Sequence, residues 1–311
     1  VSVVVTGGAG FIGANLCRRL VGHGHEVVAL DDLSTGRSEN LAGIDVTLVE
    51  GSILDPATLD RALAGVDAIV HLAARPSVPR SIADPIASHL ANATGTVEVL
   101  EAVRRHGNPQ VIVASSSSVY GANPTLPKRE DLATLPLSPY AASKLATESY
   151  ALAYQHTFGI PVLAFRFFNV FGPLQSAGHA YAAVVPAFVD AALAGRAVTV
   201  HGDGKQSRDF TFVDTVTEVI ADAIARRVTS VGPVNLAFGS RVTLLELIAE
   251  LEQVLGVSVA VEHVQSRAGD VKHSQADSTR LHELFPAVAP TAFPDALRAT
   301  VDWFRAESAR S

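Results

Sequence analysis

The segment SPYAASK sets Tyr140 and Lys144 four residues apart, which on a helix is one turn and one face. A free phenol titrates near pH 10, so only about a thousandth of it is ionised at neutral pH. One positive charge about 4 Å away, at an effective dielectric near 20, is worth roughly 4 kcal/mol, or about three pKa units. Lys144 beside Tyr140 therefore predicts a tyrosine that can take and return a proton. By themselves the two residues suit an ordinary amphipathic helix just as well, and a second feature far upstream decides between the readings.

That feature is TGGAGFIG, Thr6 to Gly13, where Gly7, Gly10 and Gly13 recur at every third position and Phe11 and Ile12 open a helix. Glycines at this rhythm let a backbone turn tightly and approach a pyrophosphate at a helix N-terminus. Asp31 follows eighteen residues beyond Gly13, at the end of the next apolar run. A carboxylate there accepts hydrogen bonds from a ribose and repels a 2′-phosphate, so the expected dinucleotide is NAD and not NADP. Asp32 reads as a second contact or as a solvated neighbour. With a hydride acceptor in reach, Tyr140 and Lys144 become an acid–base pair for oxidising a carbinol.

VASSSSVYG (113–121) completes the set. Four hydroxyls follow an apolar run at the C-terminal end of the expected fifth strand, the edge where open parallel sheets bind ligands. Ser116 is expected to meet the same substrate oxygen as Tyr140, with Ser115 and Ser117 supporting it. Each serine alone fits a turn equally well.

Positioning these groups requires a sheet. SVVV (2–5), EVVAL (26–30), VTLVE (46–50), AIVHL (68–72), QVIVA (110–114) and PVLAF (161–165) are continuous apolar runs of the kind buried on both faces. Helical signals separate them at Phe11 to Val21, at Pro56 to Leu63 behind an Asp55 cap, at roughly Pro85 to His106, and at Pro139 to about Phe158 behind a Ser138 cap. The expectation is an α/β chain with a doubly wound parallel sheet of the Rossmann kind and a smaller C-terminal substrate-binding lobe. Residues 1–170, with a returning segment at about 205–238, form the dinucleotide-binding domain, and 171–204 with 239–311 form the lobe.

Composition narrows the function. The 311 residues carry a net charge of −7 and show no basic cluster, which argues against nucleic acid or anionic lipid as partners. Apolar residues make up 48% of the chain, and no uncharged apolar run is long enough for a membrane helix. Cys17 is the single cysteine, expected to pack against the sheet, and the opening VSVVV reads as a core strand and not as a signal, so a cytoplasmic location is expected. None of the eleven histidines has metal-ligand spacing, and no metal is expected.

With these blocks in place the chain resembles the extended short-chain dehydrogenases/reductases. Within them it is similar to the nucleotide-sugar 4-epimerases of the UDP-N-acetylglucosamine and UDP-galactose type. The likeness runs through TGGAGFIG, HLAA (71–74), SVPRSIADP (77–85), ASSSSVYG, SPYAASK, RFFNVFGP (166–173), YAAVVP (181–186), HGDGKQSRDF (201–210) and RAGDVKHSQAD (267–277). The resemblance implies that Leu72, Ala73 and Ala74 line the cofactor, Ser52 and Ile53 its adenine, and Asn92 and Phe167 its nicotinamide end. It implies Asn169 at the sugar or diphosphate, Val184 and Val200 about the uracil, Arg208 and Arg267 on the diphosphate and Asp270 on the nucleotide ribose.

Relatives that dehydrate the sugar usually carry Asp-Glu where this chain has Ser117 and Ser118, and decarboxylating relatives keep a glutamate at the second position. Only oxidation and re-reduction is left. Ser274 stands where a tyrosine excludes a 2-acetamido group in some relatives, and Pro76 and Ser77 shape the sugar pocket. The implied substrate is a UDP-hexose, either UDP-GlcNAc/UDP-GalNAc or UDP-Glc/UDP-Gal, handled by a homodimer paired through 85–106 and 140–158. UDP-glucuronate drawn by Arg75, a reductase using free cofactor, and a non-catalytic NAD sensor stay as alternatives.

Overall fold

The computed structural model describes residues 1–178, 182–265 and 272–309. Six strands fall on the six apolar runs: β1 (Ser2–Thr6), β2 (Glu26–Asp31), β3 (Thr47–Glu50), β4 (Ala68–His71), β5 (Gln110–Ser116) and β6 (Val162–Phe167). Four short strands follow, β7 (Val170–Phe171), β8 (Val198–His201), β9 (Ser207–Arg208) and β10 (Thr211–Phe212), before β11 (Val234–Leu236) returns to the main sheet. The sheet runs β3-β2-β1-β4-β5-β6-β11 and every pairing in it is parallel. The order reverses at β1, so the ends of β1 and β4 flank a crevice, the place where such sheets take ligands.

Helices cover both faces. α1 (Phe11–Gly22) and, far along the chain, α8 (Val213–Ala225) share one apolar layer with Val3, Val5 and Phe165. On the other face α2 (Pro56–Ala62), α5 (Gly95–Arg105) and α6 (Pro139–Phe158) pack on Val4, Ile69 and Val113. The expected caps are present: Asp55 accepts from Ala57 and Thr58, and Ser138 accepts from Ala141 with Pro139 in the first turn. Cys17 is buried in the first layer, and burial pushes its thiol up to about 12.

The single helix expected over Pro85 to His106 is instead a series. α3 (Val78–Ala83) and α4 (Pro85–His89) are each capped by a side chain, Ser77 and Asp84, and a π-helical turn at Leu90–Thr94 leads into α5. A π turn inserts one residue and rotates the helix face, a device associated with functional sites. Here it points Asn92 inward.

The smaller lobe has its own core. α7 (Val184–Leu193), α9 (Leu244–Leu255) and α11 (Phe293–Ser308) enclose Val198, Val200 and Phe210, beside the parallel pair β8 and β13 (Val261–Val264). β12 (Val242–Thr243) pairs with β9 and β10 with β7. Within 239–311, α10 (Thr279–Leu284) departs from the expected division: Leu281, Phe285 and Val288 belong to the main core.

Candidate active site

The glycine turn is bare because it must be. Gly7 has φ +70°, and a Cβ on it would lie 2.8 Å from the Ala73 nitrogen, while a Cβ on Gly13 would lie 2.1 Å from the Gly7 carbonyl oxygen. No side chain caps α1 and no acid sits in its first turn, so the N-terminal backbone donors at Phe11 and Ile12 suit an anion. Asp31 is buried at the crest of β2, where its carboxylate accepts from the Ala9 and Leu33 amides, both at 2.9 Å. Burial raises its pKa, and the two backbone bonds oppose that rise. Those bonds occupy part of its acceptor capacity and leave lone pairs for a ribose. Asp32 is exposed and takes Ser34 as its partner. Leu72, Ala73 and Ala74 are half-buried along the chain leaving β4, Ser52 caps a turn at Leu54, and Ile53 is buried under Gly95. Such a bare turn, uncapped helix and acid at the second strand fit NAD.

Tyr140 and Lys144 lie on the first turns of α6, beside the end of β5. Ser115 fixes this contact by donating to the Lys144 carbonyl at 3.3 Å, so it serves as a tie between strand and helix. Ser116 is the meeting point. It lowers the pKa of the nearby Tyr140 and accepts from Ser118 through the amide at 3.2 Å and the hydroxyl at 2.9 Å, with Ser117 half-buried in the same turn. The electrostatics differ from the sequence expectation. Burial raises the Tyr140 pKa, the neighbouring Ser116 lowers it, and burial brings Lys144 down to about 8. Spacing fixed the helix face but not the dielectric, and desolvation disfavours both charged forms.

A buried chain of hydrogen bonds underlies the pair, and only the structure reveals it. His71 contacts Thr6 through Nδ1 at 2.8 Å and Thr96 through Nε2 at 3.1 Å. Thr6 also accepts from the Ala73 amide at 3.2 Å, and Thr96 donates to the Asn92 carbonyl at 2.6 Å. With those roles taken, the Thr6 hydroxyl donates to Nδ1, and the His71 proton sits on Nε2. Burial, with Lys144 nearby, drives the His71 pKa down to about 3, so the ring is neutral. HLAA held this histidine in plain view, but its threonine partners are 65 and 25 residues away.

Asn92 is buried, with its amide held on both sides. Its amide is consumed: Oδ1 accepts from the Arg75 amide at 2.7 Å, and Nδ2 donates to the Arg75 carbonyl at 3.3 Å and to Ser143 at 2.9 Å. It clasps the loop Arg75-Pro76-Ser77 to α6. Pro76 is exposed, Ser77 is held at φ +94°, and the Arg75 guanidinium lies 3.6 Å from Asp84. Val200 has no exposed surface and belongs to the lobe core, because β8 alternates and turns Val198 and Val200 inward. Val184 opens α7, half-buried.

On the lobe side, β9 lies between β12 and the segment at 272–274, with Ser207 bridged to His273 in parallel. Side chains alternate along such pairs, so Arg208 and Ser274 share one face while Ser207 and His273 share the other, joined at 2.8 Å. Asn169, at φ +33°, donates to the Asp209 carbonyl at 3.1 Å, and Phe167 ends β6 half-buried. Asp209 was missed by sequence reasoning. It is fully buried, accepts from Ser240 and from the Ala276 amide, and is pushed up to about 6 by burial. Arg267 and Asp270 lie outside the described residues. Among the described residues no group of His, Cys, Asp and Glu could hold a metal ion, and no helix is long and apolar enough to cross a membrane.

Residues 3–237 match the NAD dependent epimerase/dehydratase family. The UDP-glucose 4-epimerase of Mycolicibacterium smegmatis is 38% identical, over 98% of this chain and 99% of that protein. The structure of the UDP-N-acetylglucosamine 4-epimerase from Methanobrevibacter ruminantium superimposes with a TM-score of 0.93 at 36% identity, covering 98% of each chain. A dTDP-glucose 4,6-dehydratase of Streptomyces niveus is 33% identical over 97% of this chain and 92% of its own. A dehydratase at this level of similarity leaves the choice of reaction to the site residues. The fold, the bare glycine turn and these likenesses agree, and the chain belongs to the NAD dependent epimerase/dehydratase family of extended short-chain dehydrogenases/reductases.

Proposed function

We propose that the chain is an NAD-dependent 4-epimerase of UDP-hexoses, interconverting UDP-GlcNAc with UDP-GalNAc, UDP-Glc with UDP-Gal, or both. The observation that carries the reading is the placement of Ser116 at the end of β5, tied through Ser115 to the helix of Tyr140 and Lys144, with hydroxyls and not carboxylates at the next residues, Ser117 and Ser118. Dehydration needs a further acid and base at that turn. Here none exists among 115–118.

Bound NAD supplies a reversible hydride acceptor at C4. The Tyr140 oxygen takes the proton of the 4-hydroxyl and later returns it, while Ser116 fixes the direction of that oxygen. Lys144, one helical turn away, is the ammonium group proposed to favour the phenolate. Arg208 holds the diphosphate with charge-assisted bonds, so the sugar can present its other face without leaving. Remote binding to the nucleotide and loose binding to the sugar are what epimerisation needs.

Ser274 shares a face with Arg208 and is half-buried, which leaves room for a 2-acetamido group. The expected result with the four UDP-sugars is turnover of the acetamido pair at least as fast as the plain hexoses. Turnover of UDP-glucuronate alone would contradict this and favour Arg75 as a carboxylate contact. The protein is further proposed to be a homodimer. α3 and α4 pack against α6 and leave Ile82 at 66% and Ile86 at 69% exposed, with Leu90 and Tyr150 exposed as well. Sedimentation equilibrium giving a monomer would contradict it.

A further inference from the structure

Tyr140, Lys144 and Glu148 follow one another at steps of four on α6, so all three share a face. Glu148 grips Arg166 of β6 with both oxygens, Nε to Oε2 at 2.9 Å and Nη2 to Oε1 at 2.6 Å. Both side chains are almost wholly buried, at 4% and 5% exposure. Arg166 reaches further. Its guanidinium lies 4.7 Å from the centre of the Tyr120 ring, and Nη1 donates to the Glu130 carbonyl at 3.3 Å. Tyr120 closes the turn Ser117–Tyr120 that Ser116 caps, and its hydroxyl donates to Asn235 of β11 at 2.7 Å. β5 pairs with β6 at Ser115 opposite Arg166, which fixes the root of the arginine to the serine strand. One guanidinium thus joins the helix bearing Tyr140 to the turn bearing Ser116.

A buried ion pair is poor evidence for stability, since apolar side chains of similar volume often serve a core as well or better. What a carboxylate–guanidinium fork has and a leucine lacks is a set direction and length. We infer that the Glu148–Arg166 fork, with Tyr120 stacked on it, is a positioning device that sets the placement of Tyr140 against Ser116. It touches neither substrate nor cofactor. The inference rests on the reading of Tyr140 as the acid–base group. Because Ser116 opposes the burial that raises Tyr140, a looser fork lets the phenol titrate higher.

The test uses the full chain with its cofactor, the UDP-sugar turned over fastest, and three variants: Glu148→Gln, the double Glu148→Leu/Arg166→Met, and Tyr140→Phe as control. Glu148→Gln is expected to lower kcat about 10- to 100-fold through misplacement, with KM within about two-fold. The acid limb of the kcat–pH profile should move up by about one unit. The double variant is expected to show the same two changes while melting at or above the parent temperature. A well-folded double variant with parental kcat and pH profile overturns the inference. Failure of the double variant to fold also overturns it, because the pair would then serve folding. Full turnover by Tyr140→Phe overturns the acid–base reading itself, whereas a silent Tyr140→Phe beside normal fork variants removes only the positioning role.

Discussion

Tyr140 belongs to a twenty-residue helix laid on a seven-stranded sheet, whereas Arg208 belongs to a two-residue strand held between β12 and the segment at 272–274. The first is fixed by continuous apolar burial on both sheet faces and by a capped helix start. The second depends on a few polar ties, above all the buried Asp209 carboxylate that links β9 to Ser240 and Ala276. The difference teaches where tolerance lies. On the proposed function, chemistry at C4 needs placement to a fraction of an ångström, while a nucleotide held through charge-assisted bonds accepts small shifts of its support.

The largest break in this comparison comes from the rigid side. Tyr140→Phe removes one oxygen and is expected to lower interconversion by about 10²- to 10⁴-fold, the usual reach of a positioned proton carrier. The melting temperature and the bound cofactor should stay as in the parent. Rapid interconversion by a folded Tyr140→Phe would mean that another group moves the proton.

A smaller effect sharpens the same side through pH. His71 titrates near 6.5 when unfolded and at about 3 when folded, so its contribution to stability is complete above pH 6.5 and declines as pH falls toward 3. The total is of order 5 kcal/mol, of which about 2 kcal/mol is lost by pH 5. Urea unfolding at pH 7 and pH 5 measures it, and His71→Gln should flatten the difference by about that amount. An unchanged slope would show that His71 is not buried and neutral.

On the lobe side, Asp209→Ala leaves the Ser240 and Ala276 amides without their acceptor, at a cost of about 1–3 kcal/mol each. The expected outcome is a KM for the nucleotide sugar raised several-fold, with cofactor retention and kcat at saturation little changed. Loss of kcat at unchanged KM would place Asp209 with the chemistry and erase the contrast between the two sides.

The same contrast governs what the sequence could reveal. The six strands from Ser2 to Phe167 were legible because parallel strands buried on both faces are continuous apolar runs. Ser138 and Asp55 were legible as caps because their chemistry is local. β11 was not, since VNL is three residues long and its Asn235 is polar until Tyr120, Lys128 and Asp277 are seen around it. β7, β9, β10 and β12 are strands only because a distant partner meets them. At the candidate site, spacing and position in the sequence single out Tyr140, Lys144 and Ser116. The His71 chain and the Glu148–Arg166 fork do not, because their partners lie from 18 to 65 residues apart with no period to mark them.

The central claim is that hydrogen leaves C4 and returns to C4 of the same sugar. The most direct measurement uses the C4-deuterated form of whichever UDP-hexose is turned over, in ordinary water with no added cofactor. The account predicts that the C4 epimer forms with deuterium still at C4 and no net nicotinamide reduction. Washout of the label into solvent, or a 4-keto-6-deoxy product, would contradict it.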